Sequence, residues 1–298
     1  MTGRTVGVGG LELKNPVILA SGILGTTGAS LRRIASCGAG AVVTKSVGVK
    51  KSTGYPGPVI VDTDCGFLNA VGLSNPSYGE FAAEISQAKG EVPVVASIFG
   101  KDAGEFVEVA EGLSCADAFE LNLSCPHAKG FGAEIGTDPK LVEMIVSSVK
   151  NAVSVPVWAK LTPNITDITE IGVAAQSGGA DAVVAINTVR GMAIDVGSGS
   201  PILSNRFGGL SGPCIRPIAV KCIYDLYESL EIPVIGVGGI YCAEDAIELI
   251  MAGASAVQIG SALNGSIEVL REVGDGIFKF IESKGLSLED ITGLAHEV

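Results

Sequence analysis

One cysteine occupies a setting suited to acid–base chemistry. Cys125 follows a predicted strand and precedes a proline in Asn-Leu-Ser-Cys-Pro-His (122–127), and the glycine-rich segment 130–136 predicts a flexible flap. A thiol has an unperturbed pKa of about 8.5, so it can lose its proton in part near neutral pH and then deprotonate a carbon acid. We therefore expect Cys125 to act as a general base. His127 is a substrate contact, the partner of this thiol, or a histidine of a surface loop.

Two lysines end otherwise apolar runs. Lys45 closes the run that begins at Ala41, and Lys160 closes the run that begins at Val155. An isolated buried ammonium costs several kcal/mol or loses its proton, so each lysine is either solvated at a strand terminus or faces an anion. Two such lysines on one face favour an anion.

Glycines follow the last two predicted strands, in Gly236-Val-Gly-Gly239 and Ile259-Gly-Ser261. Backbone N–H groups at this point of an α/β barrel commonly hold a phosphate, although glycine pairs also serve as plain helix caps. The chain contains no G-x-G-x-x-G pattern, which argues against a dinucleotide site of the Rossmann type. A phosphate-bearing mononucleotide such as FMN fits better.

These residues must be positioned by strands, and the chain contains eight short apolar candidates separated by segments of helical period. Such alternation predicts a parallel sheet covered by helices, and eight repeats suffice for a closed (β/α)₈ TIM barrel of the α/β class. An open doubly wound sheet is the alternative. The strand candidates are residues 16–22, 41–45, 92–97, 118–122, 155–160, 182–187, 233–238 and 256–260.

Three further segments complete the predicted architecture. Residues 5–14 alternate in character and predict an N-terminal β-hairpin. The connections 48–76 and 190–212 are too long for simple turns and predict binding loops at the catalytic face. Without a linker or a break in composition, the chain is predicted to form one domain over residues 1–298.

Composition excludes several classes of function. Hydrophobic residues make up 47% of the chain, and the formal net charge is −12, which disfavours nucleic acid and acidic membrane surfaces as partners. Seven cysteines form no C-x-x-C pair, the start lacks the pattern of a signal peptide, and no apolar run is long enough to span a bilayer. We therefore expect a soluble cytoplasmic protein without a metal site.

Several motifs together resemble the dihydroorotate dehydrogenases, and within them the catalytic subunit of class 1B. The resemblance extends over essentially the whole chain. Its most specific segments are Thr44–Ser46, Asn69–Leu73, Asn122–Pro126, Ala159–Asn164, Asn187–Asp195, Gly208–Gly212 and Val237–Gly239.

The resemblance implies one FMN per chain, with the glycines around its phosphate and Lys160 near the polar edge of the flavin. Ser97 touches the flavin in this interpretation. The residues implied for FMN are Ser21, Lys45, Ser46, Ser97, Asn122, Lys160, Ile186, Gly212, Gly238, Gly239, Gly260 and Ser261.

The resemblance also implies a dihydroorotate site in which Lys45 pairs with the substrate carboxylate. Cys125 then removes a proton from C5 while hydride leaves C6 for flavin N5, giving orotate. A cysteine here, rather than a serine, is similar to class 1 and unlike the quinone-linked class 2. The residues implied for the substrate are Lys45, Asn69, Ala70, Val71, Gly72, Leu73, Asn122, His127, Asn187 and Thr188.

Two positions depart from the family pattern, which usually has asparagine in place of Ser97 and His127. Both substitutions resemble the pyrimidine-reducing half of dihydropyrimidine dehydrogenase, so reduction of uracil or thymine is the alternative activity. Asn69–Leu73 and Asn205–Leu210 look like the dihydroorotate family instead. A non-catalytic barrel that carries flavin is a third possibility.

Resemblance to class 1B implies partners as well. An iron–sulfur flavoprotein subunit would carry FAD and a 2Fe–2S cluster and pass electrons to NAD, because this chain has neither a dinucleotide fingerprint nor clustered cysteines. The expected assembly is a catalytic homodimer within a heterotetramer.

Overall fold

Eight parallel strands close into a barrel in the computed structural model, which describes residues 5–124 and 135–297. An antiparallel hairpin of β1 (Val6–Val8) and β2 (Leu11–Leu13) precedes it, as predicted. The barrel strands, numbered along the whole chain, are β3 (Val17–Leu19), β4 (Ala41–Val43), β7 (Val94–Ile98), β8 (Ala118–Asn122), β9 (Val157–Lys160), β10 (Ala182–Ala185), β15 (Val234–Val237) and β16 (Ala254–Ile259).

The barrel strands follow one another around the barrel in chain order, and β16 pairs with β3 to close it. Each predicted strand is therefore confirmed, and the open doubly wound sheet is excluded. The observed strands are mostly shorter than the predicted ones, because residues at the ends of the predicted segments do not pair with a neighbouring strand. Gly22, for example, has φ +101°, which is not a strand conformation.

A helix follows each barrel strand. The helices are α1 (Gly28–Ser36), α2 (Tyr78–Ala88), α3 (Ala103–Gly112), α4 (Pro139–Ala152), α5 (Ile168–Ser177), α6 (Arg216–Ser229), α7 (Ala243–Met251), α8 (Val269–Lys284) and the short α9 (Leu288–Ile291). Several begin at acidic caps: Asp138 accepts hydrogen bonds from two backbone N–H groups of α4, which has proline at its first position. Apolar faces of these helices pack on the outside of the barrel.

A second apolar cluster fills the inside of the barrel at its amino-terminal end. It contains Val95, Ala118 and Trp158, and the N-terminal hairpin covers it with Val8 and Leu13. The Trp158 indole N–H donates to the Gly9 carbonyl at 2.8 Å, so its single polar atom is satisfied. This end of the barrel is therefore closed by packing, which leaves the carboxyl end open for a site.

The two long connections, predicted to be binding loops at the catalytic face, contribute residues to the cavity there and contain strands that were not predicted. They contain β5 (Ile60–Thr63), β6 (Gly66–Asn69), β11 (Val189–Gly191) and β14 (Gly208–Ser211), which form an antiparallel sheet in the order β11-β14-β6-β5. A small ribbon of β12 (Ile194–Asp195) and β13 (Ser200–Pro201) extends from it. Residues about 140 positions apart pair here, which local sequence cannot indicate.

Candidate active site

One large cavity opens at the carboxyl ends of the barrel strands, with a volume of about 500 Å³. Apart from Ser97, every candidate site residue in the described part of the chain lines it. From the cofactor set these are Ser21, Lys45, Ser46, Asn122, Lys160, Ile186, Gly212, Gly238, Gly239, Gly260 and Ser261, and from the substrate set Asn69, Ala70, Val71, Gly72, Leu73, Asn187 and Thr188. The size suits a cofactor with a small substrate.

Cys125 and His127 lie outside the described residues, so their contacts stay predictions. Ser124, the residue just before Cys125, lines the cavity, and its hydroxyl accepts a hydrogen bond from the Asn187 side chain at 3.0 Å. The chain thus enters the segment that carries Cys125 from the cavity wall.

Lys45 lies just beyond β4, on the cavity wall, and is half-buried. Within residues 5–124 and 135–297, no carboxylate lies at ion-pair distance from its ammonium group. Burial lowers the pKa of Lys45, since removing water disfavours the charged form. An anionic ligand would supply the missing counter-charge.

Lys160, in contrast, already has an anionic partner in the protein. Its ammonium lies 3.4 Å from Glu120 Oε1 and donates to Gln258 Oε1 at 3.0 Å. Gln258 in turn donates from Nε2 to Glu120 Oε2 at 2.7 Å. We expected both lysines to face an anion, and for Lys160 that anion is Glu120. Lys45 has no carboxylate partner in the described chain, so its positive charge remains available to a ligand.

Hydroxyl and amide side chains form a connected row along the cavity wall. Ser21 Oγ lies 3.3 Å from Ser46 Oγ, and Asn122 Nδ2 donates to the same Ser46 oxygen at 3.3 Å. Asn187 Nδ2 lies 3.4 Å from Asn122 Oδ1. Ser97 is fully buried and lies behind this row rather than on the cavity, 2.8 Å from Ser46. Its predicted contact with flavin stays untested, and its observed contact is with Ser46.

Glycines form the part of the cavity wall that follows β14 and β15. Gly212, Gly238 and Gly239 have φ of +114°, +142° and +73°. A Cβ at Gly239 would lie 2.7 Å from Arg216 Cβ and 3.0 Å from the Gly212 carbonyl oxygen, so only glycine fits. A backbone free of side chains can approach a phosphate closely, which is the requirement that the sequence motif implied.

The antiparallel sheet forms the outer wall of the cavity. Asn69 Nδ2 donates to the Gly209 carbonyl at 3.0 Å and so joins β6 to β14. Gly72 has φ +75° and Leu73 has φ +55°, a left-handed turn that brings segment 69–73 onto the cavity. The aromatic side chains of Phe67 and Phe207 also line it.

Several lining residues were not singled out from the sequence, notably Glu120, Gln258 and Asn164. Asn164 is held by hydrogen bonds to Thr162 and to the Thr188 carbonyl, at 2.9 and 3.1 Å. The alternation of side chains along each strand could have identified two of them, because Glu120 stands two residues before Asn122 and Gln258 stands two residues before Gly260. Residues two apart in a strand share a face, so both positions face the barrel interior.

The described residues lack two further kinds of feature. They contain no helix long and apolar enough to cross a membrane. Nor do they contain a group of three or more His, Cys, Asp or Glu side chains placed to hold a metal ion.

An eight-stranded barrel with a lysine, amides and bare glycines at the carboxyl ends of its strands has the architecture of a barrel enzyme that acts on a small anionic ligand. A family model described as dihydroorotate dehydrogenase matches residues 4–281. The chain belongs to the dihydroorotate dehydrogenase family, whose members are oxidoreductases that generally depend on a flavin.

Curated relatives support class 1B within that family. The catalytic subunit of dihydroorotate dehydrogenase B (NAD(+)) from Methanosarcina mazei is 62% identical over 295 residues, covering 97% of this chain and 94% of that protein. The protein of the same name from Methanocaldococcus jannaschii is 53% identical and covers 97% and 96%. The one from Pyrococcus furiosus is 51% identical and covers 97% of each. These names favour dihydroorotate chemistry over reduction of uracil or thymine.

Proposed function

We propose that this chain oxidises dihydroorotate to orotate in pyrimidine biosynthesis, with FMN held in the cavity and the whole of residues 1–298 acting as one catalytic domain in the cytoplasm. The observation that carries the proposal is the half-buried Lys45, whose ammonium has no carboxylate partner in the described chain and which shares its cavity with the side-chain amides of Asn69, Asn122 and Asn187. A planar ligand with one carboxylate and several amide edges matches that set.

The residues present fit FMN. Gly212, Gly238, Gly239 and the turn at Gly260 and Ser261 line the cavity with backbone that carries almost no side chain, and their N–H groups would hold the phosphate. The positive φ of Gly212, Gly238 and Gly239 and the close contacts that a Cβ at Gly238 or Gly239 would make keep these positions as glycine. Lys160, fixed by Glu120, would face the ring system, together with Ser21, Ser46, Asn122 and Ile186. Ser97 supports Ser46 from behind. When bound, FMN supplies an acceptor for the hydride that leaves C6 of the substrate.

The remaining residues would bind the pyrimidine and accept the proton that it loses. Lys45 pairs with the carboxylate, and Asn69, Asn122, Asn187 and Thr188 offer amide and hydroxyl groups to the ring edges. The turn 69–73 covers the ring from the outer wall. Cys125, which follows Ser124 on the wall, takes the proton from C5 as its thiolate.

Electrons must then leave the chain. The relatives are named NAD(+)-type catalytic subunits, which supports a partner subunit for this chain as well. We propose an iron–sulfur flavoprotein with FAD and a 2Fe–2S cluster as that partner, on a catalytic homodimer within a heterotetramer.

Anaerobic single-turnover reduction tests the proposal. FMN-loaded protein is mixed with dihydroorotate or with dihydrouracil, which lacks the carboxylate, and flavin absorbance is followed. Fast bleaching by dihydroorotate alone supports the assignment; bleaching by dihydrouracil alone supports the pyrimidine-reducing alternative. A protein that takes up no FMN contradicts both. Steady-state assays of this chain alone with NAD, fumarate and a quinone then test the electron route, and we expect no NAD reduction without the partner.

A further inference from the structure

Three polar side chains meet inside the barrel at the floor of the cavity. Glu120 on β8, Lys160 on β9 and Gln258 on β16 are 0%, 5% and 1% exposed. The pairwise distances already given close them into a ring: ammonium to carboxylate, ammonium to amide oxygen, and amide nitrogen to carboxylate. We refer to these three residues as the barrel triad.

The barrel triad is costly and is not needed to fill the core. The layer of the barrel below it is apolar, with Val95, Ala118 and Trp158 packed to complete burial. Apolar residues of similar volume often replace a buried ion pair with no loss of stability, because removing two charges from water offsets most of their attraction. A role at the cavity above explains the polar layer better than a role in folding.

Glu120 also carries an unfinished contact. Its Oε1 atom is buried without a hydrogen-bond partner in the described chain, although it lies 3.4 Å from the Lys160 ammonium. Both residues, and Gln258, belong to the cavity wall. Gln258 and Glu120 therefore fix the position of the Lys160 ammonium, and the Glu120 carboxylate compensates part of its charge before any ligand binds.

We propose that Glu120 and Gln258 are positioning residues that fix the Lys160 ammonium against the flavin ring and that the Glu120 carboxylate lowers the flavin reduction potential by offsetting that ammonium. This inference rests on the proposed FMN site. A lone ammonium next to the ring favours the electron-rich reduced flavin, and a carboxylate 3.4 Å from the ammonium opposes part of that effect. Gln258 contributes geometry without net charge, since it bridges the other two.

The test compares three variants with the wild type, and neither of its two measurements uses dihydroorotate. FMN affinity is measured from quenching of free FMN fluorescence by the apoprotein, and the two-electron potential from equilibration with redox dyes. For Glu120→Gln we expect the affinity ratio of reduced to oxidised FMN to rise about tenfold, a potential about 30 mV more positive. For Lys160→Met we expect a shift in the opposite direction. For Gln258→Met we expect several-fold weaker FMN binding with a smaller shift in potential.

Asp181→Asn is the matched control. Asp181 pairs with Lys150 at 2.7 Å and accepts from the Val157 backbone N–H, at the amino end of β9, and neither residue of this pair lines the cavity. We expect its potential to equal that of the wild type. A Glu120→Gln potential equal to the control overturns the electrostatic role, and unchanged FMN affinity in Gln258→Met overturns the positioning role. If Glu120→Gln does not fold, Glu120→Ala takes its place, and a potential equal to that of the control again overturns the electrostatic role. A wild type that binds no FMN would instead refute the proposed function.

Discussion

Replacing Lys45 by methionine tests the proposed recognition of the substrate carboxylate. The change keeps much of the side-chain volume and removes only the charge and its hydrogen bonds. Because Lys45 is half-buried and the described chain gives it no carboxylate, the ligand would be its sole counter-charge at this wall. Hydrogen bonds to charged groups contribute about 1.5–3 kcal/mol, so orotate should bind roughly 10- to 150-fold more weakly.

The assay is titration of FMN-loaded protein with orotate, followed by the change in the flavin spectrum. The neutral amide of orotate serves as the matched ligand, since it keeps the ring and lacks the charge. Lys45→Met should weaken orotate binding and leave the amide nearly unchanged. Lys101→Met, at an exposed lysine paired with Glu105 at 2.6 Å, controls for the loss of one positive charge from the protein.

The pH dependence follows from the direction of the pKa shift. Burial lowers the pKa of Lys45, and pairing needs the charged form. Orotate affinity should therefore be full below the pKa of Lys45 and fall as the pH rises through it, by up to about tenfold per pH unit. Lys45→Met should lack that decline. Equal losses of orotate and its amide, or a decline that persists in the variant, would show that Lys45 does not bind the carboxylate.

Three further predictions concern the proposed base, the glycine turn and a partly buried thiol. Cys125→Ala should keep FMN and slow its reduction by dihydroorotate by ~10²–10⁴, and an unchanged single-turnover rate would remove Cys125 from the mechanism. Gly239→Ala should lower the free energy of unfolding in urea by about 1–3 kcal/mol, because φ is +73° and the new Cβ meets Arg216, whereas Gly285→Ala, with φ +67° and open space, should cost less. Burial raises the pKa of Cys222 to about 11, so about one thiol in a thousand is ionised at pH 8, and mass spectrometry should show slower alkylation there than at exposed Cys65. Equal rates at the two thiols would contradict that shift.

The barrel could be predicted because its strands are nearly continuous apolar runs that need no distant information. The segments of helical period between the strands became helices, and the start of α4 carries a local signal, because Asp138 caps it and Pro139 is its first residue. The outer sheet could not be predicted in the same way. Its strands β6 and β14 pair Leu68 with Leu210, and no local pattern specifies which distant segment supplies the partner.

The candidate site was predictable as a set of residues but not as a set of contacts. Strand ends identified part of the cavity wall, including both lysines and the glycines after β15, because barrels place strand termini on one face. Segment 69–73 was implied only by the family resemblance. Ser97 shows the limit of that reasoning: it stands near the end of β7, yet it is buried behind Ser46 and contributes a hydrogen bond rather than a surface.

The two lysines show the same limit more sharply, since their local sequences are alike and their surroundings differ. Lys160 is compensated because Glu120 faces inward on β8 and Gln258 reaches it from β16, on the other side of the barrel. A one-residue slip in the register of β8 would turn Glu120 outward against the helices and leave Lys160 without its carboxylate. Register, in addition to residue type, therefore decides which lysine is paired with a carboxylate of the protein and which is left without one in the described chain.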